Sequence, residues 1–96
     1  MPPRRQSTPR SPEHAALGEA VRRLRVDNDL AQEELADHMD TDFSQIGGIE
    51  RGTRNPSYAT LVRLATALGT RPGVIASLAD EVFDEGGNGT QSARSD

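Results

Sequence analysis

The chain contains no cysteine among its 96 residues. This absence excludes a disulfide framework, a thiolate metal site and a cysteine nucleophile, and it fits a reducing compartment. No apolar run approaches the roughly 20 residues that a membrane helix needs, and the basic N-terminus has no hydrophobic segment behind it to act as a signal peptide. We therefore expect a cytoplasmic protein that is neither exported nor held in a membrane.

Side chains with catalytic chemistry are also scarce, since His14 and His38 are the only histidines. His38 has Glu34 and Asp42 about one helical turn away, but two carboxylates and one histidine without a second His or Cys are more typical of a solvated surface than of a metal site. The sequence has no Gly-rich phosphate loop and no nucleophile–base pair. We expect no metal, no cofactor and no enzymatic activity.

Lysine is absent too, and arginine supplies all eleven basic residues. This bias either reflects GC-rich coding or exploits the guanidinium fork that suits phosphate and guanine. The net charge of -4 argues against general affinity for nucleic acid, because phosphate binding depends on basic residues. The charge is uneven, however: residues 1–12 carry three arginines and no acid, residues 13–83 seven arginines against twelve acids, and residues 84–96 one arginine against three acids.

Composition divides the chain into three parts. The Pro- and Ser-rich residues 1–12 are predicted to be a disordered basic arm, and the polar, Gly-rich residues 85–96 a disordered tail. Residues 13–84 have apolar side chains at helical spacing in five short segments, which predicts an all-α domain of five helices. Capping residues support the helix boundaries, namely Asn28 with Asp29, Asp42, Gly52, Ser57 and Gly69.

Three segments carry a family resemblance. Residues 30–36 read LAQEELA, residues 49–57 read IERGTRNPS, and residues 61–69 read LVRLATALG. Together they resemble the lambda-repressor-like helix-turn-helix family of bacterial regulators, the Cro and cI type, over about residues 14 to 80. The pattern IERGxRNPS in so short a chain also resembles the controller proteins of restriction-modification systems, alongside phage-type repressors and antitoxins.

The resemblance implies a sequence-specific transcription regulator, such as a repressor, that binds double-stranded DNA as a two-fold dimer. Its second helix would cross the DNA backbone, and its third helix, about residues 43–51, would enter the major groove. The family positions that read bases correspond to Phe43, Ser44, Gln45 and Gly48. The positions that contact phosphate correspond to Gln32, Arg51, Arg54 and Asn55.

Three residues of the third helix have alternative interpretations. Phe43 either contacts DNA, for instance a thymine methyl, or belongs to the core. Gly47 and Gly48 either permit a close approach of the backbone or mark a loosened helix, because each glycine costs about 1 kcal/mol of helix stability relative to alanine.

Two further sets of residues are expected to be structural. Arg25 and Glu50 match family positions that form a partly buried ion pair between the first and third helices. The last helix is the expected dimer interface because it carries more apolar surface than a terminal helix requires, through Ile75, Leu78, Val82 and Phe83.

The motif is unusually acidic for a DNA-binding surface. From Val26 to Glu50 inclusive there is no Lys or Arg, while there are eight acids. Asp40 stands where the family usually has Gly, and Asp tolerates the left-handed conformation that such a turn needs. We expect modest, steeply salt-dependent DNA affinity.

This acidity leaves two questions open. The arginines of the arm either reach the minor groove or phosphates, or belong to a solubilising tail. The alternative function is a protein-interaction module that keeps the fold and binds a protein partner through its acidic face, as an antitoxin, antirepressor or accessory transcription component.

Overall fold

The computed structural model describes residues 8–86, which form five α-helices and, within that range, no strand. The all-α prediction is therefore confirmed. The helices are α1 (Pro12–Asp27), α2 (Gln32–His38), α3 (Phe43–Arg51), α4 (Tyr58–Ala67) and α5 (Pro72–Glu85). None of the helices in the described part of the chain is long and apolar enough to cross a membrane.

Side-chain capping sets most of these boundaries, as the sequence predicted. Asp42 accepts a hydrogen bond from the Ser44 amide at the start of α3, and Ser57 accepts one from the Thr60 amide at the start of α4. α2 lacks such a cap because Ala31 has no side-chain oxygen, although Glu34 accepts from the Ala31 amide at 2.7 Å. Such side-chain bonds satisfy amides that have no partner within the helix.

A residue in the left-handed conformation follows the end of each of the first four helices. Asp29 (φ 57°) follows α1, Asp40 (φ 56°) follows α2, and Gly52 (φ 79°) and Gly69 (φ 71°) follow α3 and α4. Asp40 confirms that an aspartate takes the left-handed turn position here, where its short polar side chain is tolerated.

Two predicted boundaries differ from the structure. Ser11 caps α1 by accepting from the His14 amide, and Pro12 occupies the first turn, so the helix begins one residue before the predicted domain start. At the other end, α5 continues to Glu85, which forms an ion pair with Arg23 of α1. The rest of the predicted arm and tail, residues 1–7 and 87–96, lies outside the described residues.

All five helices contribute side chains to the core, and α1 packs against α3 and α5. The largest fully buried side chains of the core are Val21, Leu35, Ile46, Ile49, Leu64 and Ile75. Gly18 of α1 sits directly against the carbonyl oxygens of Ile49 and Glu50, so a Cβ there would collide with the α3 backbone. α3 is therefore held close to α1 at its C-terminal end.

Candidate nucleic-acid interface

α2, the turn after it and α3 form the helix-turn-helix unit. The turn is closed by the Thr41 amide, which donates to the Ala36 carbonyl at 3.0 Å, and by Asp40 in the left-handed conformation. Leu35 and Ala36 of α2 and Ile46 of α3 are buried together in the core. The unit therefore presents a fixed α3 to its surroundings.

The N-terminal end of α3 is acidic and internally hydrogen-bonded. The Ser44 hydroxyl donates to Asp42 Oδ1 at 2.7 Å, and the Ser44 amide donates to the same oxygen at 3.1 Å. Hydrogen bonds from the Ser44 side chain and the Gln45 amide lower the pKa of Asp42, and the charge of Arg54 adds a smaller effect. Asp42 thus stays ionised, and Ser44 keeps only acceptor capacity for another partner.

Phe43 lies in the exposed surface rather than in the core. Its side chain is 51% exposed, beside Arg25, Ala31 and Gln32. Of the two interpretations of Phe43, core packing is therefore wrong, and an apolar contact to a partner remains a prediction.

The glycine pair of α3 is covered by arginine side chains. Gly47 and Gly48 are both buried. A Cβ on Gly48 would lie 2.7–2.8 Å from the Nε, Cδ and Cγ atoms of Arg54, and one on Gly47 would lie 3.0 Å from Nη1 of Arg51. Arg54 lies over Gly48, so the predicted contact of Gly48 with DNA bases stays a prediction that requires Arg54 to move aside. The missing side chains make room for two guanidinium groups across the helix.

The loop after α3 is fixed by one carbonyl. Gly48 O accepts from the Thr53 amide at 2.9 Å, the Arg54 amide at 3.3 Å and the Thr53 hydroxyl at 3.1 Å. These bonds, together with the left-handed Gly52, turn the chain back so that Arg54 and Asn55 lie beside α3.

At the C-terminal end of α3 the surface forms a hollow of about 450 Å³, which we call the arginine hollow. Its lining contains no acidic residue and consists of Arg10, Gln45, Ile49, Arg51, Thr53, Arg54, Asn55 and Pro56. Four predicted site residues therefore meet at one place: Gln45, Arg51, Arg54 and Asn55.

The arginines of the hollow differ from most others in the described part of the chain. Arg22, Arg23 and Arg25 are all in ion pairs, and Arg63 donates to the Met39 carbonyl. The guanidinium groups of Arg10, Arg51 and Arg54 form no hydrogen bond or ion pair with any residue between 8 and 86. Their donors are therefore available to an external acceptor.

Arg10 also lines this hollow, although it was predicted to lie in the disordered arm of residues 1–12. Its amide donates to the Gly52 carbonyl at 2.8 Å, which ties the arm to the end of α3. The signal that identifies this segment as ordered is Ser11 followed by Pro12, the usual N-cap and first-turn pair of a helix.

Arg25, Glu50 and Gln32 form a hydrogen-bonded network behind the hollow. Arg25 Nε and Nη2 donate to Glu50 at 2.6 and 3.0 Å, and the two side chains are only 13% and 4% exposed. Gln32 Nε2 also donates to Glu50 at 2.9 Å. Glu50 therefore orients Gln32, whose second amide hydrogen is the one left for the predicted phosphate contact.

The predicted dimer surface on α5 is only partly accessible. Ile75 is fully buried in the core and cannot contribute to an interface, so this part of the prediction is wrong. Leu78, Val82 and Phe83 are half-buried, whereas Val74, next to Ile75, is 46% exposed. A shallow groove of about 760 Å³ lies along this side of α5, lined in part by Leu24, Tyr58, Val74 and Leu78.

Comparison with known proteins gives consistent matches. The family described as helix-turn-helix matches residues 21–75. The control protein C.BamHI of Bacillus amyloliquefaciens is 39% identical over 57 residues, which cover 58% of this chain and 70% of that protein.

Solved structures agree with these matches. The restriction-modification controller protein C.AhdI of Aeromonas hydrophila is 38% identical, with a TM-score of 0.66 over 68% of this chain and 98% of that one. The clp gene regulator ClgR of Corynebacterium glutamicum is 26% identical, with a TM-score of 0.76 over 85% of this chain and 87% of that one.

Proposed function

We propose that this chain binds its operator with α3 in the major groove and the arginine hollow on the flanking phosphates. The chain belongs to the helix-turn-helix family of DNA-binding transcription regulators. The observation that carries this proposal is the pair Arg51 and Arg54, which both lie across α3 and whose guanidinium groups form no hydrogen bond or ion pair with the described residues. A guanidinium group in this state offers paired donors that match a phosphate. The proposed site binds DNA and performs no catalysis.

The sequence of the operator would be read by few side chains. Gln45 lies in the first turn of α3 and lines the hollow, so it can pair with an adenine while the neighbouring arginines hold the backbone. Phe43 is the exposed first residue of α3 and offers only apolar contact, for instance to a thymine methyl. Ser44 is held by Asp42 and contributes acceptor capacity alone.

The proposal includes a two-fold dimer formed through α5. A dimer doubles a small contact surface and spaces two recognition helices about 34 Å apart, one turn of DNA. The apolar groove at Val74 and Leu78, continued by Val82 and Phe83, supplies the surface for this contact. Val74→Asp tests this interface, because Val74 is exposed and the monomer should tolerate the charge there. Analytical ultracentrifugation of the variant should show a monomer. An unchanged dimer would contradict this interface.

The relatives suggest the genetic role. C.BamHI is named a control protein and C.AhdI a restriction-modification controller protein, and both are more than a third identical to this chain. We extend this to a cytoplasmic controller that acts on promoters in its own genetic neighbourhood.

The test is fluorescence anisotropy of the full chain with a duplex from the DNA upstream of its own coding sequence and with a scrambled duplex. Salt should be varied from about 50 to about 200 mM, a range over which phosphate contacts lose much of their affinity. We expect preference for the upstream duplex and a steep loss with salt. Equal, weak binding to both duplexes at the lowest salt would contradict the proposal and favour a protein partner.

Two variants separate the proposed roles. Arg54→Ala should weaken binding to both duplexes and reduce the salt slope by about 1. Gln45→Ala should leave the slope unchanged and lose preference at one base position.

A further inference from the structure

We propose that Arg10 is the third arginine of a built phosphodiester pocket, completed when residues 9–11 dock on the end of α3. This inference rests on the proposed DNA binding and names a residue of that site which lies outside the helix-turn-helix unit. It turns the N-terminal segment next to α1 into part of the site.

Gly52 is the first point of contact between residues 9–11 and the end of α3. Its carbonyl accepts from the Arg10 amide at 2.8 Å, and its backbone is left-handed at φ 79°. A Cβ at Gly52 would lie 3.0 Å from the Cβ of Pro9 and 3.0 Å from the backbone of Ala15. The glycine therefore serves two purposes, because it allows the turn that ends α3 and leaves the space through which the arm passes.

A second set of contacts ties the same segment to the loop after α3. His14 Nδ1 lies 2.7 Å from Ser11 Oγ, and His14 Nε2 lies 3.1 Å from Asn55 Oδ1. The start of α1 is thus linked to Asn55 as well as to Gly52. Two separate contacts fix the backbone at Arg10, so its side chain enters the hollow from a defined position.

Electrostatics indicates what the hollow holds. Arg10, Arg51 and Arg54 line one hollow without an acidic residue in its lining, and none of the three is paired within residues 8–86. Three like charges around one hollow repel each other, and an anion bound between them offsets this repulsion. A phosphodiester suits this setting, because guanidinium groups bind phosphate oxygens through paired hydrogen bonds.

The test compares Arg10→Ala with a control, Arg22→Ala, by anisotropy of the full chain on the upstream duplex across salt. Arg22 is an exposed arginine of α1 that lines neither the hollow nor the α5 groove, and its surface pair with Glu19 contributes little to stability. Arg10→Ala should lower affinity about tenfold at low salt and reduce the salt slope by about 0.9, the value for one phosphate contact. Arg22→Ala should leave both near the wild-type values.

Arg10→Lys provides the conservative variant. It keeps the charge and should therefore keep the slope, with a smaller loss of affinity because lysine cannot form the bidentate contact. Equal behaviour of Arg10→Ala and Arg22→Ala, with wild-type binding intact, would overturn the role of Arg10 while leaving the proposed function standing. Absence of wild-type binding to any duplex at low salt would overturn both.

Discussion

The two ends of α3 differ in charge and in how their side chains are engaged. At the N-terminal end, Asp42 is ionised and already accepts both hydrogen bonds that Ser44 can donate. At the C-terminal end, three arginines line a hollow and have no partner among residues 8–86. One helix of nine residues thus carries a satisfied acidic end and an unsatisfied basic end.

In the proposed binding mode, this difference accounts for DNA binding by an acidic domain. The acids of α2 and the turn would repel the DNA backbone, while the arginine hollow would concentrate the attraction at one place. Affinity should come from the C-terminal end, and sequence preference from the few side chains near the N-terminal end. Substitutions at each end and in the scaffold behind them test this division.

Arg25→Ala should remove the support behind the basic end. The change leaves Glu50, 4% exposed, without its ion-pair partner, and such a loss costs about 3 kcal/mol. Chemical denaturation measures it, with Arg22→Ala as the control, because Arg22 forms an exposed pair with Glu19 that contributes little. A cost for Arg25→Ala no greater than for Arg22→Ala would show that the pair does not stabilise the site.

Gly48→Ala should separate stability from DNA binding. Alanine favours the helix by up to about 1 kcal/mol, yet its Cβ would displace Arg54 from its place across α3. We expect unchanged or higher stability and about tenfold weaker DNA binding, measured by denaturation and anisotropy.

Arg54→Ala is the comparison for this change, because it removes the side chain that the Cβ of Gly48→Ala would displace. The two variants should weaken DNA binding by similar factors. Wild-type affinity in Gly48→Ala would mean that the position of Arg54 over the glycine is irrelevant to binding.

Asp42→Asn should weaken the repulsion at the acidic end. Asparagine caps a helix about as well as aspartate, so the fold should be kept. Removing one negative charge near the DNA should raise affinity about threefold at low salt, and the gain should disappear at high salt. Asp80 is exposed on α5, and the control variant Asp80→Asn should show no gain in DNA affinity. An equal gain in this variant would indicate a general charge effect.

The ion pairs of Glu19 on α1 should make the stability of the scaffold depend on pH. Hydrogen bonds and charges from Arg22 and Arg23 lower the pKa of Glu19 from 4.5 to about 2. The stabilisation is therefore complete above pH 4.5 and is lost as the pH falls through about 2. Denaturation of wild type and Glu19→Gln across this range should show a small difference that closes in acid; a constant difference would contradict it.

Much of the fold was predictable because its determinants are local. Helical spacing of apolar residues located the five helices, and Asp42, Ser57, Gly52 and Gly69 marked boundaries that the structure confirms. These signals depend on a few neighbouring residues, so a single sequence contains them.

The features that the sequence did not predict depend on contacts between distant residues. Gly48 is covered by Arg54, six positions later, and helical position alone does not show this. Arg10 docks on Gly52, 42 positions away, through backbone atoms that carry no residue-type signal. On α5, the neighbours Ile75 and Val74 are both apolar, and only the packing on α1 decides which one is buried.

The central claim is that the basic end of α3 and the docked arm hold the DNA. Backbone amide shifts of the full chain, recorded by NMR during titration with the upstream duplex, test it directly. The largest changes should fall at Arg10, at Gln45 and at residues 51–55, with the acidic surface of residues 33–40 little affected. Changes concentrated on residues 33–40, with Arg10 and residues 51–55 unmoved, would contradict it.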